Sequence, residues 1–329
     1  MASIAHIGYG YWGKNLARNF AELGVLAAVV DFDPKAAKAG ADAFGVRALS
    51  FEDALADPAI DGISLASPAV LHFAQAKAAL DAGKHVFVEK PLALDVKDAE
   101  TLAAIADKAG LTLMVGHLLQ YHPVYIRLRE LVEAGELGRL QYVYSNRLSL
   151  GKFRTEENVL WSFAPHDISM ILGLIGEEPT SVTAQGSVTY TPGIADIVTV
   201  QMHFAGGASA HVQACWMHPF KEQRLVVIGD KAMAVFEDST PDWDAKLKLY
   251  RHMIDTSGAV PSPVKAEAEA IIVPKGEPLK AECAHFVDCI DKRLQPRTDG
   301  SEGVRVLRVL ARAEAALKEN LADKRGAEK

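Results

Sequence analysis

The sequence predicts an α/β chain: a Rossmann-type domain with a parallel sheet, followed by an α+β domain with a large, mainly antiparallel sheet. Three observations carry this expectation. Over residues 1–120, short apolar runs alternate with helical patterns, which argues for a parallel sheet with helices on both faces. A Gly-x-Gly-x-x-Gly loop sits between the first run and the first helical pattern,. Beyond Gly116 the texture changes to long runs of period two, the mark of strands that bury one face.

Taken in order, residues 3–7 read as a strand and 14–23 as a helix. The apolar run 25–30 is closed by Asp31. A helix over 35–44, a short strand over 46–48 and a short helix over 51–56 follow, the last stopped by Asp57-Pro58,. Residues 62–66 form a strand, and 70–82 a helix that ends at Gly83,. A strand at 85–88, a helix over 96–109 and a strand at 112–115 complete the first domain. The second opens with a helix over 125–134. Strands are expected at 140–148, 181–190, 197–204, 208–216, 224–228 and 232–236. In one of them Val198, Val200, Met202 and Phe204 make an apolar face opposite Thr199, Gln201 and His203. A sheet with such a half-bare face packs on something, and a second subunit is the simplest candidate, giving a homodimer or homotetramer. A helix over 165–175 starts with Pro165 in its first turn and ends at Gly176,. Residues 255–278 read mostly as loop; helices follow at 279–293 and 301–320, and the charged residues 322–329 are expected to fray,.

Composition agrees with two soluble domains, 1–120 and 121–329. The 35 basic against 42 acidic residues, net charge −7, give no general attraction to nucleic acid or to an anionic membrane,. An anionic substrate would therefore need a local cluster of cations. Cys215, Cys283 and Cys289 make no Cys-x-x-Cys pair and no Cys/His metal spacing, so reduced thiols and no metal are expected,. The start MASIAHIGYGYWGK lacks a basic n-region, and no apolar run approaches a membrane span,. A cytoplasmic protein is the expectation.

Gly8, Gly10 and Gly13 supply the tight turn, the close approach of backbone to a pyrophosphate, and the close packing of strand and helix,. Tyr11 and Trp12 offer apolar faces to the same loop. Asp31, 23 residues after Gly8, can accept from ribose hydroxyls and would repel a 2′-phosphate, so NAD is favoured over NADP,. Glu89-Lys90-Pro91 closes the strand at 85–88, where ligands of such sheets gather,. There Lys90 stands near the nicotinamide end, with Glu89 expected to orient its ammonium.

These motifs, with Ala66-Ser67-Pro68, His72 and the run from Ala78 to Val86, resemble the glucose–fructose oxidoreductase / inositol dehydrogenase family, Gfo/Idh/MocA. The resemblance covers nearly the whole chain. It implies an NAD(P)-binding Rossmann domain, with Ser67, Pro68, His72, Glu89 and Lys90 near the cofactor. It also implies a catalytic lysine at Lys90, often with a cis peptide before the proline, and a sheet domain that carries substrate and the oligomer interface. The family's second motif places Asp four residues before a His. Here His166 matches the histidine, while Ser162 stands at the aspartate position. A relay through that aspartate cannot operate as such. With His166 in the first turn of its helix, the dipole would favour a neutral imidazole, the form a general base requires. His166 is thus the expected proton acceptor, and Lys90 the orienting or alternative base. Asp167 would either orient the imidazole or cap the helix.

The segment Pro165-His166-Asp167-Ile168-Ser169 and the loop Gly8-Tyr9-Gly10-Tyr11-Trp12-Gly13 look most like the family's nucleotide-sugar branch, which includes UDP-N-acetylglucosaminuronate 3-dehydrogenases. This implies oxidation of the 3-hydroxyl of a UDP-N-acetylhexuronic acid in surface-polysaccharide synthesis. Arg147, Lys152 and Arg154 could meet a diphosphate, or could belong to a solvated loop. Tyr121 and His122, at the domain junction, could line the substrate cleft. The alternatives are a free-sugar or inositol dehydrogenase, an NAD-dependent glycosidase-type member, and a cofactor-binding regulator without turnover, which Ser162 keeps open.

Overall fold

The computed structural model describes residues 1–327, with side chains to residue 322. The chain divides into two units, Met1–Tyr121 with Glu277–Arg308, and His122–Gly276 with the chain from Val309 onward.

In the first unit the order is β1 (Ile4–Ile7), α1 (Gly13–Glu22), β2 (Leu26–Val30), α2 (Pro34–Phe44), β3 (Arg47–Ala48), α3 (Phe51–Ala56), β4 (Gly62–Leu65), α4 (Ala69–Asp81), β5 (His85–Glu89), α5 (Val96–Ala109) and β6 (Leu113–Gly116). All pairings are parallel, in the order β3-β2-β1-β4-β5-β6. The order reverses between β1 and β4, which opens a crevice at the carboxyl ends of those strands, where such sheets bind ligands. β1, β4 and β6 are buried along their length, as their continuous apolar runs require of a sheet covered on both faces. Asp33, Ser50 and Asp95 cap α2, α3 and α5 by accepting backbone N–H bonds,.

The second unit contains α6 (Pro123–Glu133), β7 (Leu140–Leu150), α7 (Val159–Ile175), β8 (Ser181–Ser187), β9 (Ile197–His203), β10 (Ser209–Cys215), β11 (Met217–Gly229), β12 (Met233–Glu237), β13 (Leu247–Tyr250), β14 (Met253–Asp255), β15 (Ser262–Val264) and β16 (Ala268–Ala270). Eight strands form one sheet, β16-β13-β12-β11-β7-β10-β9-β8. Its pairings are antiparallel except for β7 with β10. The expected alternation is present: Val198, Val200 and Met202 are buried while Thr199 and His203 are exposed. The less buried face is ordered by rings, with Tyr144 stacked on His211 at 5.2 Å and the Tyr142 hydroxyl 2.9 Å from His211 Nδ1. Three short exposed strands, β14 to β16, lie in or beside the segment expected to be loop.

One helix start differs from expectation. α7 begins at Val159, not at Pro165, because Asn158 caps it by accepting from the Leu160 and Trp161 N–H groups. Pro165 lies inside the helix, where it removes one N–H donor from the ladder. His166 is therefore beyond the first turn, and the dipole argument for a neutral imidazole does not apply, since that field decays within a turn.

α8 (Pro278–Lys292) and α9 (Gly300–Ala327) close the described chain. The expectation of a second domain running from 121 to 329 meets a difference here, because Glu277–Arg308 returns to the first unit. The cause is packing: Leu279, Cys283 and Phe286 of α8 are buried in one core with Ile4, Leu16, Phe20 and Phe87, and the Phe286 ring meets Phe20 at 6.4 Å and Phe87 at 5.8 Å. α9 continues to Ala327 rather than fraying at 322, and residues 328–329 of that expectation lie outside the described residues. The three cysteines are free and buried. No described helix is long and apolar enough to cross a membrane.

Candidate functional site

The glycine loop shows why its residues are glycines. Gly8 has φ +96, and a Cβ there would lie 2.8 Å from the Ala66 carbonyl. A Cβ on Gly13 would lie 1.7 Å from the Gly8 oxygen. Around Gly10 no atom comes within 4 Å of the added carbon, which leaves the open approach a pyrophosphate needs at the start of α1. Tyr11 is exposed and Trp12 partly so. The residues present fit a dinucleotide.

His6 supports this loop from below. Its Nε2 is 3.0 Å from the Gly8 carbonyl and its Nδ1 3.1 Å from Ser64 Oγ. With Nε2–H donating to Gly8, Nδ1 accepts from the serine. Burial lowers its pKa from 6.5 to about 4, against the upward pull of the Gly8 bond, so the ring is neutral in the folded chain. The unfolded chain then binds the extra proton between pH 6.5 and 4, and stability falls as the pH falls through that window, by about 3 kcal/mol for a shift of this size. In His6→Gln that part of the acid slope should vanish. Urea unfolding at several pH values measures it, and an unchanged slope would remove the assignment.

Asp31 follows β2. Its Oδ2 accepts from the Tyr9 N–H at 2.6 Å and its Oδ1 from the Asp33 N–H at 2.9 Å, so the carboxylate is aimed before any ribose arrives. A groove of about 530 Å³ adjoins it, lined by Asp31, Phe32, Ser50, Glu52 and Leu71 among others, with no cation in the lining. After β4, Ser67 donates to Gln75. The buried His72 ring lies between two carbonyl oxygens, Ser67 at 2.9 Å and Pro91 at 2.7 Å. Burial lowers the His72 pKa, and a neutral ring has one N–H for the two carbonyls. It links the turn after β4 to the residue after Lys90.

Lys90 is half-buried at the end of β5, and the Lys90–Pro91 bond is cis. Glu89 does more than face the ammonium of its neighbour, whose charge pulls its pKa down. Its Oε1 accepts from the Trp12 indole at 2.5 Å and its Oε2 from the Lys90 backbone N–H at 3.2 Å. The indole contact joins partners 77 residues apart, which no local spacing signals. Burial raises the Glu89 pKa, with Trp12 and Lys90 pulling it down. Two further buried carboxyls of this unit escaped sequence reasoning. Glu302 bonds His117 at 2.6 Å, and Glu282, with no hydrogen-bond partner, has its pKa raised by burial and then by Glu89 and Glu302.

In the second unit His166 is half-buried on α7. Asp167 does not cap the helix, a place that Asn158 takes. Its carboxylate is fully buried and accepts from Arg147 Nε at 2.5 Å, Arg147 Nη2 at 3.1 Å and Ser145 Oγ at 2.5 Å. The expected cation trio is thereby divided. Arg147 lies on β7 in this ion pair, whereas Lys152 and Arg154 are exposed beyond the strand, Arg154 within 3.9 Å of Glu157. Ser162 is buried. Tyr121 and His122 belong to cores and not to an open lining. The Tyr121 hydroxyl meets Thr298 Oγ1 at 3.0 Å in the first unit. In the second unit His122 caps α6 and stacks on Trp243 at 5.5 Å.

Comparison with known proteins agrees with this arrangement. Residues 2–117 match the oxidoreductase family with an NAD-binding Rossmann fold, and residues 125–235 match the GFO/IDH/MocA C-terminal domain. The UDP-N-acetylglucosamine 3-dehydrogenase of Acidithiobacillus ferrooxidans is 31% identical over 92% of this chain and 92% of its own. Inositol 2-dehydrogenase of Rhizobium meliloti is 26% identical over 91% and 90%. The solved structure of the Acidithiobacillus enzyme superposes with a TM-score of 0.86 at 29% identity, covering 97% of this chain and 98% of that one.

Proposed function

This chain belongs to the Gfo/Idh/MocA family of NAD-binding oxidoreductases, and on that premise we propose that it oxidises the 3-hydroxyl of a UDP-linked N-acetylated sugar with NAD. The observation that carries the reading is the pairing of an open glycine loop with a lysine at the end of β5, joined through Glu89. The substrate class is supported by a relative of 31% identity that acts on UDP-N-acetylglucosamine.

When bound, NAD supplies the oxidant that accepts hydride from the ring carbon. The protein's own groups do the rest. Gly8, Gly10, Tyr11, Trp12 and Gly13 receive the pyrophosphate, Asp31 the adenosine ribose, and Ser67, Pro68 and His72 the neighbouring turn. Lys90 and His166 are the groups that hold and move the hydroxyl proton. Lys152 and Arg154 are the cations left for a diphosphate once Arg147 is engaged by Asp167. The uronate form of the sugar would need a cation for its carboxylate as well. NAD is preferred over NADP because Asp31 and Glu52 line the adenosine groove without a cation beside them,. Asp31→Ala should weaken NADH binding about tenfold by removing charged ribose contacts; titration of NADH fluorescence reads this, and unchanged affinity counts against the ribose role. We further place the enzyme in the cytoplasm as a homodimer or homotetramer, joined through the sheet face that carries Tyr142, Tyr144 and His211.

The direct test is a panel of UDP-N-acetylglucosamine, its uronate, free sugars and inositols, each incubated with NAD and followed by NADH absorbance. Turnover with the UDP-sugars alone is expected. Turnover confined to free sugars or inositols would overturn the substrate class, and bound NAD with no turnover on any member, even with a re-oxidant present, would favour a regulator.

A further inference from the structure

We propose that Trp12 is a positioning residue: by placing its indole N–H on the buried Glu89 carboxylate, it holds the Lys90 end of β5 in register with the glycine loop. The inference deepens the functional reading above and rests on Lys90 handling the proton.

Trp12 is the cap residue of α1, and its ring is 39% exposed, yet its one polar atom is turned inward onto Glu89 Oε1. The second oxygen is held by the Lys90 N–H. The carboxylate is confined from the β6 side as well, since a Cβ on Gly116 would lie 3.0 Å from Oε2. One carboxylate thus joins the loop that meets the cofactor to the backbone of the lysine, with both oxygens in use.

The contact also governs charge. A buried carboxyl takes up a proton unless donors favour its ionised form. The ionisable groups that act on Glu89 are Lys90 and His117; Glu89 and Glu302 in turn act on Glu282, and Glu302 is paired to His117. Glu282 has no hydrogen-bond partner, and burial raises its pKa, with Glu89 and Glu302 adding to the rise. The Trp12 indole is a side-chain donor to Glu89. Burial raises the Glu89 pKa, and the indole N–H, the lysine ammonium beside it and the Lys90 N–H pull it back toward the ionised form. In Trp12→Phe an aromatic ring stays, smaller than the indole, and the donor goes. Glu89 then shifts further toward its neutral form, and the ammonium loses counter-charge,.

Reductive methylation of Lys90, followed by peptide mass spectrometry at one pH, reads this in the whole chain without substrate. Loss of the neighbouring anion should raise the Lys90 labelling rate about threefold or more in Trp12→Phe and at least as much in Glu89→Gln. The double variant should label no faster than Glu89→Gln, because Trp12 acts through that carboxylate. An unchanged rate in Trp12→Phe, or a double variant showing the product of the two single effects, would overturn the proposal. Should Trp12→Phe fail to fold, Gly116→Ala presses Oε2 from the opposite side with the indole intact; faster labelling supports the proposal and an unchanged rate overturns it. If Lys90→Ala retains turnover while the labelling pattern holds, the catalytic reading falls and the Trp12–Glu89 coupling stands.

Discussion

Lys90→Ala should lower kcat by about three orders of magnitude while leaving NADH affinity within about threefold of the wild type, because a positioned proton-transfer group contributes on that scale and a group acting only in the transition state leaves ground-state binding alone. The side chain leaves the end of β5 half-buried, and the backbone around it is held by Glu89 and by the His72 bridge to Pro91. Truncation therefore removes the amine and keeps the framework. Steady-state NADH formation together with equilibrium NADH titration separates the two effects. A variant that turns over at the wild-type rate would show that the amine is not part of the chemistry. A variant that loses NADH binding and turnover in equal measure would make Lys90 a cofactor anchor.

Gly13→Ala should weaken NADH binding at least a hundredfold and lower the stability of the chain by about 2–3 kcal/mol. The added Cβ would fall 1.7 Å from the Gly8 oxygen and 3.0 Å from His6 Nε2. Both obstacles are fixed: one is backbone, and the other is a buried ring bonded on both sides. The loop must open for the methyl group, and the N–H groups at the start of α1 then leave the place where they would meet a pyrophosphate. Gly10→Ala is the contrast, with no atom within 4 Å of its added carbon. It should keep the wild-type melting temperature and lose NADH affinity alone. Calorimetric titration and thermal unfolding of the two variants measure the difference. Wild-type affinity in Gly13→Ala would contradict the loop's assignment.

What was legible in the sequence was local. The glycine loop, Asp31 and Lys90 each follow a strand by one or two residues, so chain order alone placed them at one edge of the parallel sheet. Period two found most of the second sheet for the same reason. What was missed depends on partners distant in the chain. Trp12 and Glu89 are 77 residues apart, and Arg147 and Asp167 are 20 apart on a strand and a helix. No spacing rule connects such pairs, so the sequence leaves Arg147 between a diphosphate contact and a solvated loop, and shows nothing of the indole on Glu89. The start of α7 was misplaced because Pro165 carries a strong helix-start signal, while Asn158, which forms the cap, ends a charged stretch that reads as loop. α8 showed its apolar stripe, but a stripe does not say which core it joins, and Phe286 settles beside Phe20 and Phe87 in the first unit.

We propose that this chain removes hydride and proton from a sugar-ring carbinol, with NAD as oxidant and Lys90 in the proton path. One measurement addresses it directly: NADH and sugar ketone quantified in the same reaction, with UDP-N-acetylglucosamine or its uronate as substrate, for the wild type and for Lys90→Ala. Equal amounts of NADH and a 3-keto product are expected from the wild type, and neither from the variant at the same enzyme concentration. NADH without ketone, ketone at another ring position, or equal yields from the variant would contradict it.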